Sequence, residues 1–149
     1  MPEPRCCLYC GDIADSPPLC AGCAVALPWL TRACPGCAQP QTHDALCPRC
    51  AKKHPPFDSA WAAFRLETPV QQGIHALKYH AGLTQARLLG ELMGRRLAQR
   101  PQALPTLVIP VPLYRTRLQR RGYNQALELA RGLQRVLAIE VDAHAAQRL

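Results

Sequence analysis

The sequence predicts two tandem four-cysteine zinc ribbons over residues 1–54, followed by a short α/β domain over residues 55–149. Three observations carry this prediction. The cysteines repeat at a constant spacing, a polar and proline-containing linker (residues 51–56) follows the repeat, and a strand, loop, helix and strand pattern occupies the last third of the chain.

Eight of the nine cysteines form four Cys-x-x-Cys pairs, and the last two pairs repeat the first two at an offset of 27 residues. Two thiolates on one tight turn bind a metal ion together, and a second pair completes a tetrahedron of sulfurs. The pairs could combine in sequential, crossed or nested order, and sequential order closes the shortest loops. We predict two zinc ions, with the ligand sets Cys7, Cys10, Cys20, Cys23 and Cys34, Cys37, Cys47, Cys50.

These zinc sites are expected to be structural, because four thiolates leave no coordination position for water or substrate. A disulfide framework is the alternative, but the odd cysteine count and the absence of an apolar signal segment after Met1 favour reduced thiols and a cytoplasmic protein without a membrane span. Cys6 stays outside both sets, either as a spare ligand or as a thiol that binds no metal. His43 and His54 lie near enough in sequence to substitute as ligands.

Positive charge is concentrated in the second part of the chain. The formal net charge is +8, and each zinc with four thiolates would lower it by two. Residues 1–55 contain five Lys or Arg against four Asp or Glu, whereas residues 56–149 contain thirteen against six. This distribution indicates a phosphate-bearing partner for the second part.

The second part is predicted to contain a strand or hairpin over residues 57–66 and two helices. Thr68 and Pro69 are typical of a helix start, and the first helix should end at Gly82. The second should extend from about Gln85 to Gln99, with an apolar stripe of Leu88, Leu89, Leu92, Met93 and Leu97. The apolar run 106–111 fits a central parallel strand, Asn124 can cap a helix from Gln125 to about Leu137, and residues 138–141 form the next strand, giving a right-handed βαβ unit.

The segment between this strand and helix is predicted to be a basic loop. Residues 111–125 contain four arginines, two tyrosines and a glycine. In open α/β sheets, ligands bind where strands end and helices begin, and arginine matches phosphate geometry well. The loop is therefore a candidate anion site.

At this loop the chain resembles the ComF family of competence and gluconate-utilisation proteins. The resemblance is carried by Pro110-Val111-Pro112-Leu113, by Arg117 and by Arg121-Gly122-Tyr123-Asn124-Gln125, together with the cysteine pairs, Pro56-Phe57-Asp58 and the segment 74–80. It implies an N-terminal double zinc ribbon joined to a type I phosphoribosyltransferase-like, Rossmann-like α/β domain. It also implies binding of phosphoribosyl pyrophosphate or single-stranded DNA, and a role in DNA uptake or nucleotide metabolism.

The residues that the resemblance assigns to the phosphate or DNA site are those of the basic loop and two from the segment 74–80. They are Arg115, Arg117, Arg120, Arg121, Gly122, Asn124, Lys78 and Tyr79. Tyr114 and Tyr123 could stack on bases. A competence-machinery protein is a further candidate partner.

The chain departs from the pattern of type I phosphoribosyltransferases, which is a glycosyltransferase class. Those enzymes need two adjacent acidic residues followed by a Thr-Thr-Gly-like turn, and this sequence has no adjacent acidic pair. We therefore expect a chain truncated before that motif, without catalytic residues of its own, in which Mg²⁺ with phosphoribosyl pyrophosphate would bind only to a full-length protein. The alternative function is a non-enzymatic zinc-ribbon adaptor for a protein or nucleic acid.

A truncated sheet has a consequence for packing. Without the strands that would follow, the apolar face of the last helix, formed by Leu129, Leu133 and Val136, is expected to lack cover.

Overall fold

The computed structural model describes residues 6–14, 18–79 and 82–148. Eight elements follow one another in this order: α1 (Ala21–Val25), α2 (Pro48–Lys52), α3 (Val70–Tyr79), α4 (Leu83–Ala98), β1 (Leu107–Val108), α5 (Arg115–Arg121), α6 (Gln125–Gln134) and β2 (Glu140–Val141). The sequence segment before Cys6 and His80 in the family-like segment lie outside the described residues. No helix in the described ranges is long and apolar enough to cross a membrane.

The 27-residue repeat of the sequence is also a repeat of the backbone. The first cysteine unit (residues 6–25) contains an antiparallel bridge between Cys6 and Ile13 and then α1; the second cysteine unit (residues 33–52) contains the equivalent bridge between Ala33 and Pro40 and then α2. In both units the residue after the first Cys-x-x-Cys pair donates its amide to the carbonyl of the first cysteine in that pair. Gly11 donates to Cys7 at 3.0 Å, and Ala38 donates to Cys34 at 2.8 Å. The same ligand spacing has therefore produced the same local fold twice.

The segment 57–66 does not form the predicted hairpin. Its end pairs instead with the connection between the two cysteine units, through a bridge between Trp29 and Phe64. The Leu30 amide donates to the Ala63 carbonyl at 2.9 Å, and the Arg65 amide donates to the Pro28 carbonyl at 2.8 Å. The sequence pattern could not show this partner, because the pairing joins residues more than thirty positions apart.

Helix α3 begins at Val70, one residue later than the proline-based expectation, and the Pro69 carbonyl accepts the Gly73 amide at 3.1 Å. Helix α4 lies within two residues of its predicted start. Of the predicted apolar stripe, Leu88, Leu89 and Leu92 are buried, and Met93 and Leu97 are half-buried.

Helices α4 and α6 cross in close contact because glycine stands at the crossing on both sides. A Cβ at Gly90 would lie 2.2 Å from the Leu129 carbonyl oxygen, and one at Gly132 would lie 2.6 Å from the Arg87 carbonyl oxygen. Non-bonded heavy atoms cannot approach this closely, so each helix presents bare backbone to the other. An ion pair of 3.5 Å between Arg135 and Glu91 adds a contact at the edge of this crossing.

The sheet is parallel, as the βαβ pattern predicts, but it is shorter and more exposed than predicted. Leu107 pairs with Glu140 and Val108 with Val141. Val111 is 70% exposed, so the run 106–111 is not buried on both faces: the described sheet has only two strands, and no third strand covers β1. Helix α6 ends at Gln134, three residues before the predicted end.

The main core joins the first cysteine unit to helices α3 and α4. Its buried members are Cys7, Ala14, Leu19, Leu27, Val70, Leu88, Leu89 and Leu92. A smaller cluster of Leu133, Leu137 and Ile139 lies under the sheet. The expectation that the face of Leu129, Leu133 and Val136 lacks cover is wrong for the first two residues: α4 approaches α6 closely enough that Leu133 is buried and Leu129 packs on the main core, whereas Val136 is 36% exposed.

Candidate metal centres and basic cleft

Each cysteine unit gathers its four sulfurs into one cluster, and the grouping is sequential. The sulfurs of Cys7, Cys10, Cys20 and Cys23 lie within 4.8 Å of one another, and so do those of Cys34, Cys37, Cys47 and Cys50. The Cys10–Cys20 and Cys37–Cys47 sulfur distances are both 3.7 Å. A tetrahedron with zinc–sulfur bonds of about 2.3 Å has edges of about 3.8 Å, so the spacing fits this metal and is far too long for a disulfide.

The thiols in each cluster differ in how readily they ionise. Burial raises the pKa of the Cys7 thiol, but the amides of Cys10, Cys20 and Tyr9 donate to its sulfur and bring the pKa down to about 6. At Cys34 the amide of Cys47 donates to the sulfur at 3.3 Å, and the pKa is likewise lowered to about 6 despite burial. Backbone donors that stabilise a thiolate are therefore built into both units.

One thiol in each cluster, Cys10 in the first and Cys50 in the second, resists ionisation without a compensating cation. Burial and the sulfurs of Cys37, Cys47 and Cys34 raise the pKa of Cys50 to about 12. At Cys10 the Asp12 amide lowers the pKa, but desolvation of the sulfur within the cluster and three neighbouring sulfurs outweigh it and raise the value to about 12. Four thiolates at this spacing need a divalent cation between them, and the two clusters could bind two zinc ions.

The other sulfur and imidazole groups near the repeats do not join the clusters. Cys6 is exposed and belongs to neither set of four. The Nδ1 atom of His54 lies 3.2 Å from the Pro55 carbonyl, and that of His43 lies 3.5 Å from the Thr42 hydroxyl. Neither histidine contributes to a metal-ligating group within the described residues.

A basic cleft of about 590 Å³ lies between the end of α3 and helix α5. Six residues line this basic cleft: Lys78, Tyr79, Arg117, Arg120, Arg121 and Tyr123. The Arg121 guanidinium lies over the Tyr79 ring at 5.8 Å. Five of the eight residues that the sequence assigned to a phosphate or DNA site thus meet in one concavity, although Lys78 and Arg117 are nearly forty positions apart in the chain.

The segment predicted as a basic loop is instead largely a helix, and that prediction is wrong. Helix α5 begins after Tyr114, whose carbonyl accepts the Leu118 amide at 2.9 Å, and it ends at Arg121, followed by Gly122 as the C-cap with a φ of 77°. A left-handed glycine is a common helix C-cap, and arginine, leucine and glutamine are good helix formers. That pattern was present in the sequence and could have shown the helix.

The ends of α5 and α6 are tied to the neighbouring elements by polar contacts. The Tyr123 hydroxyl donates to the Leu77 carbonyl of α3. Asn124 caps α6 by accepting the Ala126 amide at 3.0 Å, and its own amide donates to the Val111 carbonyl at 3.0 Å. Helix α5 is therefore held between α3 and the end of the β1 segment.

Three predicted site residues do not line the basic cleft. Arg115 is exposed at the start of α5, Gly122 caps that helix, and Asn124 serves as the cap of α6 beside a smaller apolar pocket of about 290 Å³. Tyr114, a candidate for base stacking, is also outside the cleft, and Tyr79 lies in it instead. Among the described residues, the cleft arginines make no ion pair, so their charge is available to an anion.

Several known proteins align with most of this chain. The chain is 34% identical over 137 residues to the DNA utilization protein YhgH of Shigella flexneri and 33% identical over 137 residues to that of Escherichia coli K12, in each case over 87% of this chain and 60% of the relative. It is 33% identical over 129 residues to Competence protein F of Haemophilus influenzae, over 81% of this chain and 55% of the relative.

These relatives, one of them named Competence protein F, agree with the ComF-family resemblance of the sequence, and the two four-cysteine clusters are consistent with a double zinc ribbon. It spans about 60% of the length of the first curated relatives that it matches. No family model matches the chain. No solved structure matches it either.

Proposed function

We propose that this protein serves DNA utilisation or competence by binding a phosphorylated ribose, of the phosphoribosyl pyrophosphate class, in the basic cleft. The observation that carries the proposal is the convergence of Lys78 with Arg117, Arg120 and Arg121 on one concave surface. The names of the relatives, DNA utilization protein and Competence protein F, support the wider role.

A compact ligand with several negative charges fits this arrangement better than an extended one. The cations come from two separate elements, the end of α3 and helix α5, and face one cleft. Guanidinium groups bind phosphate oxygens in pairs, and a pyrophosphate offers several oxygens at short spacing. The parallel strands, with α5 after β1, support a phosphoribosyltransferase-like domain from about residue 55 onward.

The two metal units would then act as the structural part of the protein. Closed four-thiolate sites supply folding free energy and no open coordination position. In this proposal the eight cluster cysteines are the zinc ligands, and the ligand chemistry belongs to the basic cleft alone.

Calorimetric titration with phosphoribosyl pyrophosphate tests the proposal. We expect saturable binding that persists at moderate salt, and a loss of about tenfold or more in affinity for each of Arg117→Ala and Arg121→Ala, since bonds to charged groups are worth roughly 1.5–3 kcal/mol. Arg115→Ala, on the same helix but outside the cleft, should weaken binding less. Arg95→Ala, an exposed arginine on α4 that does not line the cleft, is the matched control.

Two results would contradict the proposal. One is equal affinity in the wild type and in the Arg117→Ala, Arg121→Ala double variant. The other is an equal loss in the Arg95→Ala control, because a nonspecific charge effect would not depend on position.

A second candidate is single-stranded DNA in the same cleft, and the two tyrosines that line it favour this interpretation. Bases can stack on Tyr79 or Tyr123 while the arginines hold phosphates. Oligonucleotide binding in this mode should fall steeply as salt rises. Competition between an oligonucleotide and phosphoribosyl pyrophosphate for the wild-type protein separates the two candidates.

A further inference from the structure

A second concave surface lies between the second cysteine unit and the end of α4, and it shares no residue with the basic cleft. It consists of two adjoining depressions of about 440 and 410 Å³, which have Leu30 and Thr31 in common. Trp61, Arg96 and Arg100 line one depression, and Trp29, Arg32 and Arg65 line the other. We call this surface the aromatic groove.

Arginines and aromatic rings are stacked along this groove. The Arg100 guanidinium lies 5.4 Å from the centre of the Trp61 ring, and the Arg96 guanidinium lies 5.9 Å from the Trp29 ring. Trp29 in turn contacts Phe64, at 4.7 Å between ring centres. Trp29 is held in place because its indole N–H donates to the Ala24 carbonyl at 2.9 Å. The groove therefore presents flat, partly exposed surfaces on a rigid support.

The groove is also positively charged. Four arginines line it, against the single carboxylate of Asp44. Arg65 pairs with Glu67 at 2.9 Å, and Arg32 donates to the Thr42 carbonyl at 2.9 Å. Arg96 and Arg100 make no ion pair within the described ranges. These two side chains can therefore meet an anion without breaking an existing pair.

We propose that the aromatic groove is a binding site for single-stranded nucleic acid, separate from the phosphate site proposed above. Unstacked bases would lie on the Trp61 ring and on the Arg100 guanidinium plane, and Arg96 and Arg32 would contact the phosphates. Such a pairing of stacking surfaces with cations is typical of single-strand binding. A duplex hides its base faces, so it could use only the charges.

Fluorescence anisotropy with a labelled oligothymidylate tests this site. We expect Trp61→Ala to weaken binding about tenfold or more, since stacking on an aromatic side chain contributes strongly for each base. The Arg96→Ala variant keeps the aromatic ring and should lower the slope of log affinity against log salt by roughly 0.7, the value expected for the loss of one phosphate contact. Arg95→Ala on the same helix should bind as the wild type does.

The protein's own fluorescence gives a second readout. The chain has two tryptophans, Trp29 and Trp61, and a base stacked on Trp61 should quench its emission. Trp61→Phe preserves an aromatic surface, so it should retain most of the affinity but lose most of the quenching. An oligouridylate titrated in parallel identifies whether the strand is DNA or RNA, and binding of either supports the site.

The basic cleft variants keep this test independent of the proposed function. Arg117→Ala with Arg121→Ala should lose phosphoribosyl pyrophosphate and retain the oligonucleotide, whereas the groove variants should do the reverse. The inference is overturned if the wild type does not bind the oligonucleotide at low salt. It is also overturned if a duplex binds as tightly as a single strand, or if only the cleft variants lose affinity for the oligonucleotide. Groove variants that lose binding of a protein partner but keep their affinity for the oligonucleotide would overturn it as well.

Discussion

The two cysteine units have the same backbone and the same ligand geometry, but their surroundings differ. The first unit is part of the main core with α3 and α4, whereas the buried residues of the second unit form a small cluster of their own, Cys34, Cys47 and Cys50. Leu19 and Leu46 stand at equivalent positions, yet Leu19 is 7% exposed and Leu46 is 41% exposed. The residues between the ligands, and not the ligands, decide how each unit is attached.

Tyr9 shows the same contrast at another position. In the first unit its hydroxyl lies against α3, where a Cβ at Gly73 would come within 3.6 Å, and the equivalent residue of the second unit is Gly36. The cysteines show the opposite difference, because those of the less firmly packed second unit are the more buried. Cys10 is exposed in the first cluster, whereas three of the four cysteines in the second cluster are buried. A well-buried metal cluster and a well-attached unit are thus separate properties.

The largest effect should come from removing the ligands of one unit at a time. We expect Cys7→Ser with Cys10→Ser to abolish the cooperative thermal transition, because structural zinc contributes on the order of 10 kcal/mol and the first unit forms part of the main core. Cys34→Ser with Cys37→Ser should bind one zinc and still unfold cooperatively. Circular dichroism and zinc content measure this. Equal transitions in the two variants would remove the distinction between the units.

Gly90→Ala should have the next largest effect, since it disturbs the helix pair on which the first unit packs. The added Cβ would meet the Leu129 carbonyl oxygen at 2.2 Å, and overpacking of this kind costs about 3 kcal/mol. Gly22→Ala, on α1 with open space at its Cβ, is the control. Chemical denaturation should show a large loss of unfolding free energy for Gly90→Ala only. The second cysteine unit of Gly90→Ala should still bind its zinc.

The equivalent leucines give the most direct comparison of packing. Leu19→Ala removes a buried side chain and should lower the free energy of unfolding by about 2–3 kcal/mol. Leu46→Ala, at the same place in the other repeat, should change it by less than about 0.5 kcal/mol. The two variants differ from the wild type by the same atoms. Similar losses on denaturation would mean that the second unit is packed as firmly as the first.

The smallest effects concern the turn after each first cysteine pair. Gly11 and Ala38 are equivalent residues in a left-handed conformation, with φ of 80° and 58°. This conformation costs a residue with a Cβ roughly 1–2 kcal/mol. Gly11→Ala should therefore destabilise the protein by about 1 kcal/mol, and Ala38→Gly should stabilise it slightly, by about 0.5 kcal/mol. Thermal denaturation of the two variants measures this. If Gly11→Ala and Ala38→Gly shifted the melting temperature in the same direction, this account of the turn would be contradicted.

Regular spacing made much of this molecule predictable. The ligand groups, the Asn124 cap of α6, the position of α4 and the parallel pairing of β1 with β2 all follow from local patterns. Lys78, Arg117 and Arg121 were selected through the family resemblance, and the structure brings them together in the basic cleft.

The remainder depends on contacts between distant residues. The pairing of Trp29 with Phe64, the glycine contacts of α4 with α6 and the unequal burial of Leu19 and Leu46 have no local signature. The aromatic groove arises for the same reason, since Trp61 and Arg100 meet only once α4 is in place. Helix α5 is the exception: Gly122 and the good helix formers before it are a local pattern that predicts a helix, although the four arginines also fit a charged loop.

Native mass spectrometry of the wild-type protein, purified under reducing conditions, tests the central claim that the chain carries two equivalent four-thiolate metal sites. We predict a mass that exceeds that of the metal-free chain by two zinc ions, less the protons that the metal displaces from the thiols. A mass with no zinc, or a mass lowered by the formation of disulfides within the two clusters, would contradict the account.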